Sequence, residues 1–508
     1  MSLFLFLVFF ISSIISIMKK IIVIGSGFGG LSIASRLRSN GFDITLIEKQ
    51  PDLGGRARTF FHEGYKYDAG PTVITAPYLI DELFSLHSEK LSDYVNLLPV
   101  KPWYRFLFDN GEYLDYGDKL STTIREIRSK YGNHNAKSYV KLLKHSKRIF
   151  NKAFTELSDQ PFESLGSMIK HLPELVRIRF DRSVYTAVDK HIGNVNLNQA
   201  LSMHPLLVGG NPYSTTSIYL LIQYLEWKWG VFYAEGGTGK IVDALEKLLN
   251  NKEVEIKKNT EVTKIILKNK KVVGVETNEG LVNCDAVVCN SDPTYTYKNL
   301  LGYKPNKFSN NFNLKHSMSL FVLYFSTKRI YKDVKHHTII FSKRHYELLN
   351  DIFNKKIFVN DPSLYLHRPG ATDPSMIQNN SDTFYVLAPV PNNISNINWS
   401  ERGEELSSII ISTLEDKIMP ELSKNIVDSF FVTPDYFENE LNTYAGSGFG
   451  IQPIFTQSAY FRYGNKAKET NGLYFVGAST HPGAGVPGVL STSKVTEKLI
   501  LRDYGNNK

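Results

Sequence analysis

Only two cysteines, Cys284 and Cys289, occur in 508 residues. Two thiols build no disulfide framework, and no set of His, Cys or Glu has the spacing of a metal site, so neither disulfides nor a metal is expected. Five residues apart in a strand-like run, the pair is expected on opposite faces of it. Free thiols point to a reducing compartment. Low-complexity tracts and internal repeats are absent. A net charge of +9 is too dilute over this length to indicate nucleic acid, and no nucleic-acid motif accompanies it. Long apolar runs are missing except at residues 1–17. That run lacks the positive start of a signal peptide and falls short of the roughly 20 residues of a spanning helix. The expectation is a native start at Met18, before Lys19-Lys20, with a membrane anchor or a cleaved signal as alternatives. The remaining composition, 42% hydrophobic and 21% charged, is that of a globular chain of two or three domains.

What is present is organised around Ile21-Ile22-Val23-Ile24-Gly25-Ser26-Gly27-Phe28-Gly29-Gly30. The β-branched run reads as a buried parallel strand. Gly25, Gly27 and Gly30 give G-x-G-x-x-G, and residues 31–37 read as a helix. Such a strand, turn and helix N-terminus suit a dinucleotide pyrophosphate. A second strand over 43–47 ends in Glu48, about 20 residues on, where the fold places its ribose ligand. Leu53-Gly54-Gly55-Arg56-Ala57-Arg58 then sets two glycines beside fixed positive charge, as a close approach to phosphate or an aromatic cofactor edge needs.

Residues 103–108 and 112–116 read as a hairpin at Asn110-Gly111. Its aromatics suit either sheet packing or the wall of an apolar site. Residues 136–157 read as a helix with Lys137, Lys141, Lys144, Lys147, Arg148 and Lys152 and no acid until Glu156, a pattern that suits an anionic membrane surface. Residues 168–185, with Arg177, Arg179 and Arg182, extend that expectation. Gly236-Gly237-Thr238-Gly239-Lys240 superficially resembles a P-loop, but Glu235 and Ile241 break the pattern, and ATP binding is rejected. Short strands over 254–289 form a meander and a return strand closed by Asn290-Ser291-Asp292. A final strand over 473–476 leads through Gly477 and Ala478-Ser479-Thr480-His481-Pro482-Gly483-Ala484-Gly485-Val486-Pro487-Gly488 into a closing helix, a second helix N-terminus aimed at something electron-rich.

Three stretches carry a resemblance. They are Asp361-Pro362-Ser363-Leu364-Tyr365-Leu366-His367 with Thr372-Asp373-Pro374-Ser375, then Phe384-Tyr385-Val386-Leu387-Ala388-Pro389, and the glycine-rich tail from Gly477 to Val489. With Gln457-Ser458-Ala459-Tyr460-Phe461-Arg462, the chain from Met18 resembles the bacterial-type carotenoid (phytoene) desaturases of the flavin-dependent amine oxidase-like superfamily. It departs from them at Ile377-Gln378-Asn379-Asn380 and at Tyr463.

The resemblance implies an α/β fold. A discontinuous Rossmann-like FAD-binding domain (18–100, 232–300, 465–508) would hold an inserted α+β substrate domain (101–231, 301–464). That domain would carry a mixed or antiparallel sheet and a helical membrane-facing part, with 1–17 as an extension. It also implies non-covalent FAD, an apolar polyene drawn from the membrane, and peripheral attachment at the cytoplasmic face. Oxygen or a quinone would be the electron acceptor. No metal or nucleic acid is implied. Expected FAD contacts are Gly25, Gly27, Gly29, Gly30, Glu48, Gly54, Gly55, Arg56, Gly477, Gly485, Val486 and Gly488. His481 is the weak candidate for chemistry, against a packing or capping role; no proton acceptor is named. Alternatives are a C30 diapophytoene or a hydroxylated carotenoid as substrate, an isomerase- or ketolase-like activity, and a prenyl-lipid carrier without flavin.

Overall fold

The computed structural model describes residues 18–164, 166, 169–303, 314–378 and 380–505. The expectations for residues 1–17, and those touching Met168 and Asn379, lie outside them. Along the chain, the strands of the two main sheets are β1 (Lys20–Ile24), β2 (Asp43–Ile47), β3 (Tyr104–Leu107), β4 (Tyr113–Tyr116), β5 (Glu255–Lys257), β6 (Ala286–Cys289), β7 (Ser319–Thr327), β8 (His337–Ile340), β9 (Leu364–His367), β10 (Asp382–Val390), β11 (Ile426–Val432) and β12 (Leu473–Phe475). The principal helices are α1 (Phe28–Ser39), α2 (Leu120–Phe150), α3 (Gly239–Asn251), α4 (Trp399–Lys417) and α5 (Val486–Tyr504).

The first sheet is wholly parallel, in the order β12-β6-β1-β2-β5. Its centre is apolar on both faces because both are covered. Ile21 and Val23 pack with Leu31, Leu245 and Leu499 from α1, α3 and α5. Ile22 and Ile24 pack against Ile265 and Val275 of the antiparallel meander Val262–Lys268, Lys271–Thr277 and Gly280–Asn283. Three chain segments, separated by hundreds of residues, thus build one nucleotide-type sheet.

The second sheet is mixed, in the order β11-β7-β10-β9-β8-β3-β4, with β8 and β3 the parallel pair. Period-two alternation splits β7. Phe321, Leu323 and Phe325 pack beneath Trp399, Leu406 and Ile410 of α4. Leu320, Val322 and Tyr324 face inward with Tyr365 and Tyr385.

Several expectations are settled by this packing. The aromatic hairpin packs: Tyr104, Phe106, Leu114 and Tyr116 are buried in a core with α2, and none of its residues lines the main cavity. The basic helix begins earlier than expected and bends at Gly132, whose φ is +84°. Its apolar side, Leu142, Leu143, Ile149 and Phe150, is buried in the protein. Its cations, among them Lys137, Lys141, Lys144 and Lys147, face outward. Its apolar face is occupied within the protein, so what this helix offers outward is a charged ridge. Cys284 and Cys289 are both free. They do not lie on opposite faces: Cys284 precedes β6, the strand alternation does not reach it, and both thiols pack on the meander side. Among the described residues no helix is long and apolar enough to cross a membrane.

Candidate functional site

β1 and β2 end side by side, and the site lies beyond their carboxyl ends, where α/β sheets place ligands. Gly25 turns the chain at φ +89°. Gly27 caps α1 with no side-chain cap and no acid in the first turn, so the helix presents bare N–H groups and its positive end. Gly30 is the one expected FAD residue that does not reach the cavity. A Cβ there would lie 1.9 Å from the Gly25 carbonyl oxygen, so its part is to let helix and turn touch.

Glu48 is nearly buried and held in place from two sides. Its Oε2 accepts from the Ser26 N–H (2.9 Å) and hydroxyl (2.7 Å), and its Oε1 accepts from the Gln50 N–H (3.0 Å). The carboxylate keeps lone pairs for a ribose diol. The Gly54-Gly55 turn docks on the same loop, Gly54 N–H donating to the Ser26 carbonyl at 3.1 Å. Arg56 follows, half-buried at the cavity wall. Burial pushes its guanidinium below the ordinary range, and Asp292 works against that shift.

The tail arrives from the other side. Gly477 follows β12 and its N–H donates to Thr492 Oγ1 at 3.0 Å. Gly485, at φ +89°, caps α5, again without side-chain cap or first-turn acid. Buried Arg462 braces the loop between them by donating to the carbonyls of Ala478 (2.6 Å) and Thr480 (3.0 Å). His481 is buried, stands edge-on to Phe162 and has Nε2 3.3 Å from the Leu157 carbonyl. Burial lowers its pKa to about 4. That geometry is a packing one, although the residue lines the cavity.

All the remaining expected residues, Gly25, Gly27, Gly29, Glu48, Gly54, Gly55, Arg56, Gly477, Gly485, Val486 and Gly488, line that one cavity. Two uncapped helix N-termini therefore open on a single space. The cavity fits a flavin dinucleotide on its own terms. Nε of Arg56 and of Arg58 are buried without a partner, and the glycine cradle leaves room for phosphates. Beyond Arg56 the cavity turns apolar, walled by Leu206, Ile222, Leu225, Leu320, Ile339 and Phe341.

Some of the site escaped sequence reading. Asn290 was visible only as the end of a strand. Its amide sits between the two glycine loops, where a Cβ on Gly27 or Gly29 would meet it at 2.8 or 2.3 Å. The P-loop-like segment is occupied by Asp68, which accepts from the Thr238 N–H (2.7 Å) and the Tyr233 hydroxyl (2.6 Å). His336 and His337, unremarkable in sequence, are brought to His367 of the 361–367 stretch, with donor nitrogens within 4.8 Å of one another. Beside them Tyr365, Thr72 and Tyr385 join their hydroxyls at the cavity wall.

Comparison with known proteins agrees with this geometry. Residues 28–495 match the family described as flavin containing amine oxidoreductase. The chain is 40% identical over 492 residues to a lycopene-forming phytoene desaturase of Pseudescherichia vulneris, covering 96% of this chain and 100% of that one. It is 36% identical over 494 residues to the neurosporene-forming phytoene desaturase of Rhodobacter capsulatus, covering 95% and 94%. An oxidoreductase structure from Methanosarcina mazei shares the fold at a TM-score of 0.64 and 16% identity, covering 94% of this chain and all of that one. The chain belongs to the flavin containing amine oxidoreductase family, as an FAD-dependent oxidoreductase of its bacterial-type phytoene desaturase branch.

Proposed function

We propose that this chain desaturates phytoene, removing hydrogen from the polyene in repeated steps toward neurosporene or lycopene. The observation that carries the reading is the continuity of one cavity, from two bare helix N-termini into a long apolar trough. Bound FAD supplies the hydride acceptor. The chain's own residues do the rest. Glu48 and the α1 N-terminus orient the nucleotide. The α5 N-terminus, with no acid in its first turn, favours negative charge at its end of the cavity. The apolar walls align an allylic C–H and keep water from the cation its loss creates. Oxygen or a quinone would take the electrons onward.

Placement at the cytoplasmic face of the membrane belongs to the same proposal. The cavity reaches His171, Leu175, Phe180 and Phe455. Around that mouth Ile169, Leu172, Val176, Phe455 and Phe461 are exposed, and Arg177 and Arg179 stand beside them. Apolar side chains rimmed by cations suit an anionic bilayer surface and a lipid-dissolved substrate.

Expression of the full chain in a phytoene-accumulating host tests the reading. Coloured polyenes are expected, and chromatography counts the double bonds added. Unchanged phytoene beside FAD-loaded protein would transfer the assignment to another carotenoid, a C30 or hydroxylated one. Unchanged phytoene with no flavin would leave a carrier. Within the site, Gly485→Asp puts a carboxylate and a strained φ at the α5 N-terminus. The purified variant is expected to lose its flavin absorbance, or to keep it without anaerobic bleaching by substrate.

A further inference from the structure

Desaturation releases a proton as well as a hydride, and the cavity wall beside Arg56 carries groups able to take it. Tyr365 in β9 is half-buried, with its ring in the cavity lining. Its Oη lies 2.7 Å from Nδ1 of His337 and 3.1 Å from Thr72 Oγ1. Thr72 in turn meets the Tyr385 hydroxyl at 2.7 Å, and Tyr385 donates to the Gly70 carbonyl at 3.3 Å. Gly70 packs directly on the backbone of Arg56, so this hydroxyl group adjoins the FAD end of the trough.

We propose that Tyr365 Oη accepts the proton lost by the polyene while His337 Nδ1 accepts the phenolic proton of Tyr365. The proposal rests on the desaturase reading. The balance is simple. One C–H leaves as hydride to FAD. The neighbouring C–H then breaks, its electron pair becomes the new C=C, and its proton goes to Oη. The former Oη proton moves to Nδ1, and the imidazole ends as imidazolium.

The surroundings of His337 prepare it for this. The rings of His336, His367 and Tyr104 pack against it. Behind these lie Asp68, 3.4 Å from His367 Nε2, and Tyr233; Arg368 and Asp382 are the other charges that reach the group. Burial, with His367 adding to it, holds His337 well below its ordinary range, so its lone pair is free at neutral pH. Asp68 is held below the usual carboxylate range by His367 and Tyr233 against its burial, and its negative charge acts on His367, the ring beside His337. A resident metal is a poorer account of the three imidazoles. Nitrogens bonded to one zinc ion sit roughly 3.4 Å apart in a tetrahedron, a tighter set than the 4.8 Å spread here. Glu226 is the rival acceptor at the cavity wall, but its two oxygens are already held by Tyr104 (2.8 Å) and His204 (3.0 Å).

The test uses the FAD-loaded full chain and three variants, Tyr365→Phe, His337→Gln and Glu226→Gln, with phytoene in liposomes. Flavin absorbance and FAD affinity are measured first, and the Tyr365 and His337 variants are expected to match wild type there. Their turnover is expected to fall about 10²-fold, the usual scale of a lost acid–base group. A kinetic isotope effect from deuterium at the proton-losing carbon should emerge or grow. Nitrogen-15 NMR of the histidines, assigned by the His337→Gln spectrum, should show His337 Nδ1 as the unprotonated, hydrogen-bonded nitrogen. A wild type that leaves phytoene unchanged defeats the desaturase reading and the relay with it. An active wild type defeats the relay alone under any of four results: Tyr365→Phe at wild-type turnover, Glu226→Gln carrying the isotope effect instead, a protonated Nδ1, or stoichiometric metal bound by the histidines. If Tyr365→Phe fails to hold FAD, His337→Gln decides on the same terms.

Discussion

Gly30→Val is expected to give a protein that purifies colourless. The substitution puts a Cβ 1.9 Å from the Gly25 carbonyl oxygen and 3.1 Å from its carbon. Both neighbours are backbone, so no side chain can swing aside. Relief requires the turn to lift from α1, which moves the N–H groups at Gly27 and the Ser26–Glu48 hydrogen bonds together. We expect FAD affinity to fall at least ~10²-fold, read by flavin fluorescence on titration. Loss of a ligand held at ~100 times its Kd also removes about 2.7 kcal/mol of stability, visible as a lower Tm that added FAD no longer raises. Gly41→Ala at the other end of α1 is the control. It too has a positive φ, but no atom lies within 4 Å of its Cβ, and it should stay yellow.

The second large effect is expected at Arg368→Met. Arg368 Nε donates to Asp382 Oδ2 at 2.6 Å, and a terminal nitrogen donates to the Val334 carbonyl at 3.0 Å. Both side chains are almost fully buried, and Asp382 Oδ1 has no partner. Burial already pushes the Asp382 carboxyl above its usual range, with Arg368 the chief opposing influence. Removing the cation strands a buried charge, at a cost of about 3–5 kcal/mol. The sign with pH follows from proton uptake. With its folded pKa raised above the unfolded one, the carboxyl binds more protons in the native state, so stability falls as pH rises through that interval. Urea unfolding should show a smaller deficit against wild type at pH 5 than at pH 8. Adding Asp382→Leu should recover most of the loss, since an apolar pair of similar volume leaves no charge to strand.

Chemistry that depends on backbone and on neighbours in sequence was legible without coordinates. The run Ile21 to Gly30, the acid at Glu48 and the tail from Gly477 to Gly488 declare themselves because strand, turn and helix N-terminus are local features with fixed residue demands. From them follow the dinucleotide fold and the expected FAD contacts; the family resemblance needs the stretches 361–367 and 384–389 as well. The tertiary structure decided whatever depends on which surface a residue meets. Periodicity shows that residues 136–157 are amphipathic, but only packing shows that the protein itself covers their apolar side. Composition marks the hairpin at 104–116 as aromatic, but only the sheet order puts it at the edge, away from the cavity. Asp68, Tyr233, His337, Tyr365 and His367 lie up to 299 residues apart and come from four separate stretches of the chain. Their chemistry exists only because β8 and β9 pair in one register, His337 opposite His367, and put both on the face that looks into the cavity. A side chain's partners are set by long-range pairing, and a single sequence carries no local signal of it.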